Sequence, residues 1–508
     1  MYEKKTHDNE LNSNVTKGRQ YSAAVINLGC KVNRYEADSM RKIMADSGIA
    51  LVEPDDIADF YIVNTCSVTN IAERKSRQML RRAKRRNPEA VVIAAGCYVN
   101  AAHDELLALD YVDAVIGNDR KTEIMDVLVS YMKKDSITDT SSDDTGHDSY
   151  DSGEHSYSYE VCDEIKPDRY VRIDGSERFE EMGELSAAYL DHRRAYIKIQ
   201  DGCNQFCSYC IIPYTRGRIR SRAPENIIEE ITGLARSGVK EFVLTGIHIS
   251  SYGKDYDEVS QGVSECDKIM DLADIICAVS DIPEVERIRL GSLEPRIITN
   301  EFLEKISKAT KLCPHFHLSL QSACNETLKR MNRKYTIEEY MKSCELLRDY
   351  YDRPAITTDV IVGFPGETEE EFNTTVNNLK LLKLYEIHVF KYSVRHGTIA
   401  EKMPDQVPDQ DKNTRSDILL ALTAEQKKNY EESLVGLNDE VLVEEEADIN
   451  KNRVKKAGDI THINTIECNN DESVGNGKKM FTGYTKRYVK VYVNSENDIT
   501  GDIIPYTF

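Results

Sequence analysis

No run of about eighteen consecutive apolar residues, the length that a membrane-crossing helix needs, occurs in this chain. Its first twenty residues are polar and charged, not basic and then apolar as in a secretion signal. Both absences predict a soluble, cytoplasmic protein with no membrane partner. Cations are in deficit: 66 Lys and Arg stand against 87 Asp and Glu, a net charge of -21. That excludes a uniformly basic nucleic-acid binder but leaves room for a local basic surface. Lys and Arg are absent from residues 135–160, whereas Arg74, Lys75, Arg77, Arg81, Arg82, Lys84, Arg85 and Arg86 crowd into residues 74–86. Thirteen cysteines, an odd number in a large chain, predict reduced thiols and metal ligands in place of a disulfide framework.

A length of 508 residues with 40% apolar content predicts two or three domains. Residues 1–20 read as a disordered polar leader. Apolar runs at 23–28, 60–63, 91–95 and 114–116 alternate with helix-like stretches at 35–48 and 71–86. This is the pattern of parallel βαβ units, so residues 21–130 are expected to form a doubly wound α/β domain. Residues 131–190 turn acidic and poor in aliphatics, as a linker or insertion does. Six strand candidates at 196–199, 242–245, 287–290, 315–320, 356–362 and 387–390, each before a plausible helix, predict a partial TIM-like (β/α)6 barrel over 191–431. The tail, 432–508, carries short β-type runs that predict a small β-barrel.

Two sets of cysteines carry the chemistry. Cys203, Cys207 and Cys210 have the spacing C-x3-C-x2-C directly after the first strand of the predicted barrel. Three thiolates hold three irons of a 4Fe-4S cluster and leave the fourth open, which is what S-adenosylmethionine needs as it chelates iron through its amino and carboxylate groups. A zinc site would call for a fourth Cys or His close by, and Ser208, Tyr209 and Ile211 offer none. Cys30, Cys66 and Cys97 are far apart in sequence, yet each follows a predicted parallel strand, where the ligand crevice of an open α/β sheet forms. A second cluster and a set of core thiols both fit them. Gly29 and Gly96 would let the backbone approach an inorganic group. Cys162, Cys266, Cys277, Cys313, Cys324, Cys344 and Cys468 share no spacing and read as core or incidental thiols.

Arg216, Arg218, Arg220 and Arg222 follow the cysteine loop closely, suited to the carboxylate of S-adenosylmethionine, to phosphates, or to a solvated helix start. Thr245, Gly246 and Val362 end predicted strands where a nucleoside could lie against backbone, and Glu294 could bond a ribose hydroxyl or the methionyl amino group. Arg74 and Arg77 on the basic stretch, and Lys486 and Arg487 beside Tyr484, Tyr488 and Lys490 in the tail, are candidate RNA contacts, since stacking rings and cations are what single-stranded RNA requires. An electron carrier or a plain RNA-binding protein would be the non-catalytic alternative, but neither needs all of these features.

The segments Gly-Cys-Lys-Val-Asn (29–33), Asn-Thr-Cys-Ser-Val-Thr (64–69) and the 203–210 loop, with those at 290–295, 317–322, 329–335, 359–367 and 403–407, resemble the radical S-adenosylmethionine methylthiotransferases. The resemblance covers residues 23–407, and the tail is similar to a TRAM RNA-binding barrel. It implies two 4Fe-4S clusters, S-adenosylmethionine, an electron donor of flavodoxin or ferredoxin type, and sulfur supplied from the auxiliary cluster on Cys30, Cys66 and Cys97. It further implies a 5′-deoxyadenosyl radical that removes hydrogen from adenine C2. One branch of the family acts on isopentenyladenosine in tRNA, one on an aspartate of a ribosomal protein and one on threonylcarbamoyladenosine in tRNA. The segments at 29–33, 65–69 and 317–322 are closest to the last. Ala323-Cys324, Lys391 and Val394 depart from the family pattern.

Overall fold

The computed structural model describes residues 19–138, 170–172, 179–183, 185, 194–256, 270–447 and 479–508. Most of the predicted leader and of the acidic stretch, and Cys162, Cys266 and Cys468, lie outside the described residues. No helix among the described residues is long and apolar enough to cross a membrane. The chain divides into two compact units. The first takes the described residues up to Arg172, Glu180–Gly183 and Tyr214–Arg216; the second takes the others.

In the first unit the strands β1 (Ser22–Asn27), β2 (Ala50–Leu51), β3 (Phe60–Thr65), β4 (Val91–Gly96), β5 (Ala114–Ile116) and β6 (Tyr170–Arg172) form one parallel sheet in the order β2-β1-β3-β4-β5-β6. All six residues of β3 are buried, as a central parallel strand covered on both faces requires. Helices α1 (Lys31–Asp46), α2 (Asn70–Arg86), α3 (Cys97–Leu107) and α4 (Ile124–Thr138) follow β1, β3, β4 and β5. The α2 helix buries Ser76, Leu80 and Ala83, spaced four and three apart, and turns its cations outward. Its start is capped by Thr69, whose side chain accepts from the Ala72 amide, and its last turn is basic, which suits the helix dipole. Two features depart from the sequence reading. The α4 helix continues through Thr138 into the stretch expected to be linker, and β6 adds a strand within that stretch, paired with β5. Both lay hidden behind an acidic, aliphatic-poor composition.

The second unit has an α/β part and a C-terminal antiparallel part. Strands β7 (Arg194–Asp201), β8 (Arg220–Ser221), β9 (Glu241–Gly246) and β10 (Arg287–Leu290) pair in the order β10-β9-β7-β8, with β8 antiparallel to β7. Strands β11 (His315–His317), β12 (Ala355–Val362) and β13 (Glu386–Lys391) form a parallel sheet. Parallel bridges at Ile288–Leu312 and Leu293–Leu318 link the two. The intervening helices start on reciprocal caps, such as Thr336 with Glu339 and Thr368 with Glu371. The antiparallel half-barrel has the order β16-β15-β14-β17, from β14 (Asn438–Glu446), β15 (Lys479–Thr485), β16 (Lys490–Ser495) and β17 (Ile503–Thr507).

Charge as well as apolar area joins these two parts. Arg194, Arg287 and Arg289, all buried, surround the buried Glu241 carboxylate, with Arg194 at 2.5 Å, Arg289 at 3.0 Å and Arg287 at 3.7 Å. Arg289 also donates to the carbonyls of Thr485 (3.2 Å) and Lys486 (2.9 Å). The ring of Tyr488 stacks on His315 with centroids 5.0 Å apart and lies under the Arg194 and Arg289 guanidiniums. Burial alone would raise the Glu241 pKa, but Arg289 and Arg194 hold it far below the usual carboxylate range.

A carboxylate depressed in the folded state contributes stability that is fully present above its unfolded value, about 4.3, and drains away as pH falls below it. Glu241→Gln should therefore cost about 3 to 5 kcal/mol near neutral pH, because three buried guanidiniums lose their counter-charge. It should also flatten the acid side of the stability profile. Denaturant midpoints at neutral pH and at about pH 3 check both; parallel profiles for the two proteins would refute the assignment.

Candidate functional site

Cys30, Cys66 and Cys97 stand at the ends of the neighbouring strands β1, β3 and β4. Cys30 caps α1, Cys66 follows β3 directly, and Cys97 opens α3. A helix N-terminus favours a thiolate. The Cys66 thiol is pushed up to about 11, chiefly by burial and further by the nearby Cys97 and Cys30. Gly29 and Gly96 have φ of +109° and +96°. A Cβ on Gly29 would stand 2.9 Å from the Cβ of Cys66, and one on Gly96 2.6 Å from the Asn64 side chain. The space these glycines leave is thus already taken by protein neighbours.

Arg216 corrects the sequence reading, which offered it to S-adenosylmethionine or to phosphate. It is fully buried in the first unit, with its Nε donating to Cys97 Sγ at 3.1 Å. One terminal nitrogen reaches Glu36 Oε1 at 2.8 Å, and the other reaches Asn33 Oδ1 at 2.9 Å and Glu36 Oε2 at 3.1 Å. Glu36 also pairs with Lys121, which donates to Asn118 at 3.0 Å. Asn33 in turn bonds the carbonyls of Leu28 (2.7 Å) and Thr65 (2.9 Å), tying the loops that carry Cys30 and Cys66. The rest of the basic run is engaged in the second unit: Arg220 faces Asp201, Arg222 pairs with Glu230, and Arg218 lies over the Phe206 ring.

Cys203, Cys207 and Cys210 sit on the loop after β7. The Cys203 amide donates to Gly217 O (3.0 Å) and the Cys210 amide to Cys207 O (3.0 Å). The segment after helix 325–330 holds the loop from the side, with Ser208 N to Met331 O at 3.1 Å and Asn332 Nδ2 to Phe206 O at 2.8 Å. Arg333 donates to Cys207 Sγ (3.3 Å) and Ser319 O (3.2 Å). Burial first, and the neighbouring Cys207, push the Cys203 thiol up to about 11 and the Cys210 thiol up to about 12.

Glu294, just past β10, meets this loop: Gln205 Nε2 donates to it at 3.3 Å and His248 Nε2 lies 3.2 Å away. Burial opposes ionisation of Glu294, but His248 holds it below the usual carboxylate range. Thr245 and Gly246 end β9, where a Cβ on Gly246 would press to 2.8 Å from Gln200 O. Val362 is fully buried, with its carbonyl taken by the Tyr392 amide.

Arg74 and Arg77 line a surface hollow of about 790 Å3 with Arg81, Arg82, Arg85, Gln78 and Tyr111. Arg77 also bonds the Tyr98 hydroxyl. The tail residues are a second correction. Arg487 is buried, ion-paired to Asp439 at 2.9 Å and bonded to the carbonyls of Asp352 and Arg353. Lys486 pairs with Glu440 at 2.9 Å, and the half-buried Tyr488 is stacked on His315.

Sequence reasoning missed Arg333, His248, Gln205, Asn33 and Glu36. Asn33, Gln205 and Arg333 lie inside segments quoted above and Glu36 three residues past one, and that was the available signal. It also missed His317, Asp359 and His388, whose ligand-type atoms all lie within 4.8 Å of one another.

Residues 197–379 match a family model described as the radical SAM superfamily, and residues 22–117 one described as an uncharacterized protein family, UPF0004. The threonylcarbamoyladenosine tRNA methylthiotransferase MtaB of Bacillus subtilis is 35% identical over 479 residues, 94% of this chain and 91% of its own. The enzyme of the same name from Aquifex aeolicus is 34% identical over 86% of this chain and 98% of its own. A tRNA-2-methylthio-N(6)-dimethylallyladenosine synthase of Protochlamydia amoebophila is 32% identical, covering 94% of each.

Removing the Arg216 fork while keeping its bulk, as in Arg216→Met, should destabilise the chain by about 3 to 5 kcal/mol, since the buried Glu36 loses one of its two cations. Arg216→Lys should recover part of the loss. Denaturant midpoints report this, and a midpoint equal to that of the native chain would mean that Lys121 alone satisfies Glu36.

Proposed function

Since the chain belongs to the radical S-adenosylmethionine methylthiotransferases, we propose that it places a methylthio group on C2 of the adenine in N6-threonylcarbamoyladenosine, next to the anticodon of tRNA. It is a transferase that uses S-adenosylmethionine and 4Fe-4S clusters. The observation that carries the reading is the pair of separate three-thiol sets, in a chain whose relatives of this substrate type align with 82% or more of it.

The donors fit such clusters. Each set brings its thiols close together: Cys97 and Cys30 help to push the Cys66 thiol up, and Cys207 does the same to Cys203. A 4Fe-4S cluster held by three thiolates leaves one iron for the amino and carboxylate groups of S-adenosylmethionine and supplies the electron that splits its carbon-sulfur bond. Cys203, Cys207 and Cys210 would hold that cluster, and Cys30, Cys66 and Cys97 the auxiliary one from which sulfur is taken. Arg333 and Arg216 each aim an N–H at a thiol of their set and so fix its position. Glu294, kept ionised by His248 and reached by Gln205 from the cysteine loop, is suited to the methionyl ammonium. Thr245 and Gly246 offer a narrow strand end against which a nucleoside can lie.

The finer architecture belongs to this reading: a (β/α)6 partial barrel from β7 to β13, a TRAM-like barrel in the tail, and domains near 21–130, 191–431 and 432–508. The five-arginine hollow on α2 is the surface we assign to tRNA phosphates, with an electron donor of flavodoxin or ferredoxin type as the other partner, in the cytoplasm. Isopentenyladenosine is the second reading, supported by relatives named for that substrate.

Anaerobic reconstitution should give about eight irons per chain, and about half in the Cys30, Cys66, Cys97 triple Ala variant. That variant should still cleave S-adenosylmethionine but insert no sulfur, whereas the Cys203, Cys207, Cys210 variant should cleave none. Equal loss of cleavage in two folded variants would contradict the division of labour. Mass spectrometry of tRNA nucleosides decides between the two adenosines.

Reversing charge in the hollow with Arg81→Glu and Arg85→Glu should weaken tRNA binding about tenfold or more and reduce its salt dependence. Cleavage without RNA should stay unchanged. A double variant with native affinity and salt slope would remove the hollow from the interface.

A further inference from the structure

His317, Asp359 and His388 come from three adjacent parallel strands. The register sets His317 opposite Thr357, and Asp359 opposite His388. Alternate residues of a strand share a face, so Thr357 and Asp359 bring all three ligand side chains to one side of the sheet. The His317 Nδ1 is 2.9 Å from the Thr357 hydroxyl, leaving Nε2 directed at Asp359 Oδ2, 3.3 Å away. The His388 ring stacks on that of His317 with centroids 5.7 Å apart.

This arrangement has the parts of a metal site. Two imidazoles and one carboxylate suit a borderline divalent ion such as Zn2+, Fe2+ or Co2+, and poorly suit Mg2+ or Ca2+, which favour all-oxygen ligands. The ligand atoms already lie within 4.8 Å of one another. Metal-ligand distances near 2.0 to 2.2 Å then require a shift of under about 1 Å per side chain. The Thr357 hydroxyl that holds the non-ligating nitrogen of His317 orients the ring, as outer contacts of such ligands do. Three protein ligands leave a coordination position open. The site is reachable, because His388 is exposed and Asp359 partly so. Ser319, two residues beyond His317 and so at most about 7 Å along the chain, accepts from Arg333, which also touches Cys207. The triad therefore lies near the loop of the second thiol set.

We propose that His317, Asp359 and His388 bind one divalent ion of the Zn2+ class, separate from both iron-sulfur sites. Its open position takes the carboxylate that a threonylcarbamoyl group carries and an isopentenyl group lacks. The second half rests on the substrate reading above; the ion site does not.

The full-length chain with its clusters loaded, stripped of loose metal, is titrated anaerobically with Zn2+ against a chromogenic chelator and with Co2+ by absorption. One ion per chain beyond iron is expected, with a Co2+ spectrum free of sulfur charge-transfer bands. His388→Ala, at an exposed position, should bind it at least about tenfold more weakly, as even outer-contact changes do, and Asp359→Asn should behave alike. Native affinity in both variants, or a sulfur-type spectrum, would overturn the site. Anticodon stem-loops carrying either adenosine test the ligand. Zn2+ should tighten binding of the threonylcarbamoyl RNA about tenfold, equal to 1.4 kcal/mol, in the native chain but not in His388→Ala, and leave the isopentenyl RNA unaffected. An equal response of both RNAs would overturn the carboxylate assignment. Methylthiolation of only the isopentenyl RNA would sink the substrate reading while leaving the Zn2+ titration standing.

Discussion

A guanidinium group does not shed its proton in a protein, so an arginine folded into an interior must find anions or carbonyls there. This chain meets that requirement at three decisive places. Around Glu241, three arginines share one carboxylate and reach on to the tail. At the first thiol set, Arg216 divides its fork among Glu36, Asn33 and Cys97. At the second, Arg333 joins Cys207 to Ser319. Each is a planar donor whose position is fixed from several sides. Each removes freedom from backbone that would otherwise be loop: the strand ends of the first unit, the cysteine loop after β7, and the turn at Tyr488. Burying such groups is expensive, and the expense is met only while every partner is present.

That constraint also explains what could be read from the sequence and what could not. Strands β1, β3, β4 and β5 were legible because a central parallel strand is an unbroken apolar run, and the three cysteines of the first set were legible because they end such runs. Strands β7, β9, β10, β12 and β13 of the second unit were legible for the same reason, whereas β11 stops at His317, short of the expected 315–320, and the two-residue β8 carries no apolar run. The spacing of Cys203, Cys207 and Cys210 is local and needs no folding to be recognised.

Charge was the misleading signal. Arg216, Arg220 and Arg222 look in sequence like the basic face of a ligand site, yet they are buried and consumed by Glu36, Asp201 and Glu230. The tail cations Lys486 and Arg487 read the same way and are held by Glu440 and Asp439. A count of cations in a window cannot tell a solvated face from a buried network, because the partners lie up to 180 residues away in sequence. On α2 the same count was informative, since the period of Ser76, Leu80 and Ala83 shows which face is covered. The His317, Asp359 and His388 group is illegible for a related reason: its members become neighbours only through strand register.

Part of the seam between the α/β part and the tail is written in main-chain atoms. Arg287 donates to the carbonyl of Tyr484, Arg289 to those of Thr485 and Lys486, and Arg487 to those of Asp352 and Arg353. A carbonyl is the same group whatever side chain stands beside it. Evolution can therefore rewrite most of the tail's surface, and a protein engineer can graft another hairpin of equal backbone course, without redesigning the socket. The positions of Tyr488, Arg487 and Glu444, where a ring, a guanidinium and a carboxylate enter the seam themselves, would resist exchange.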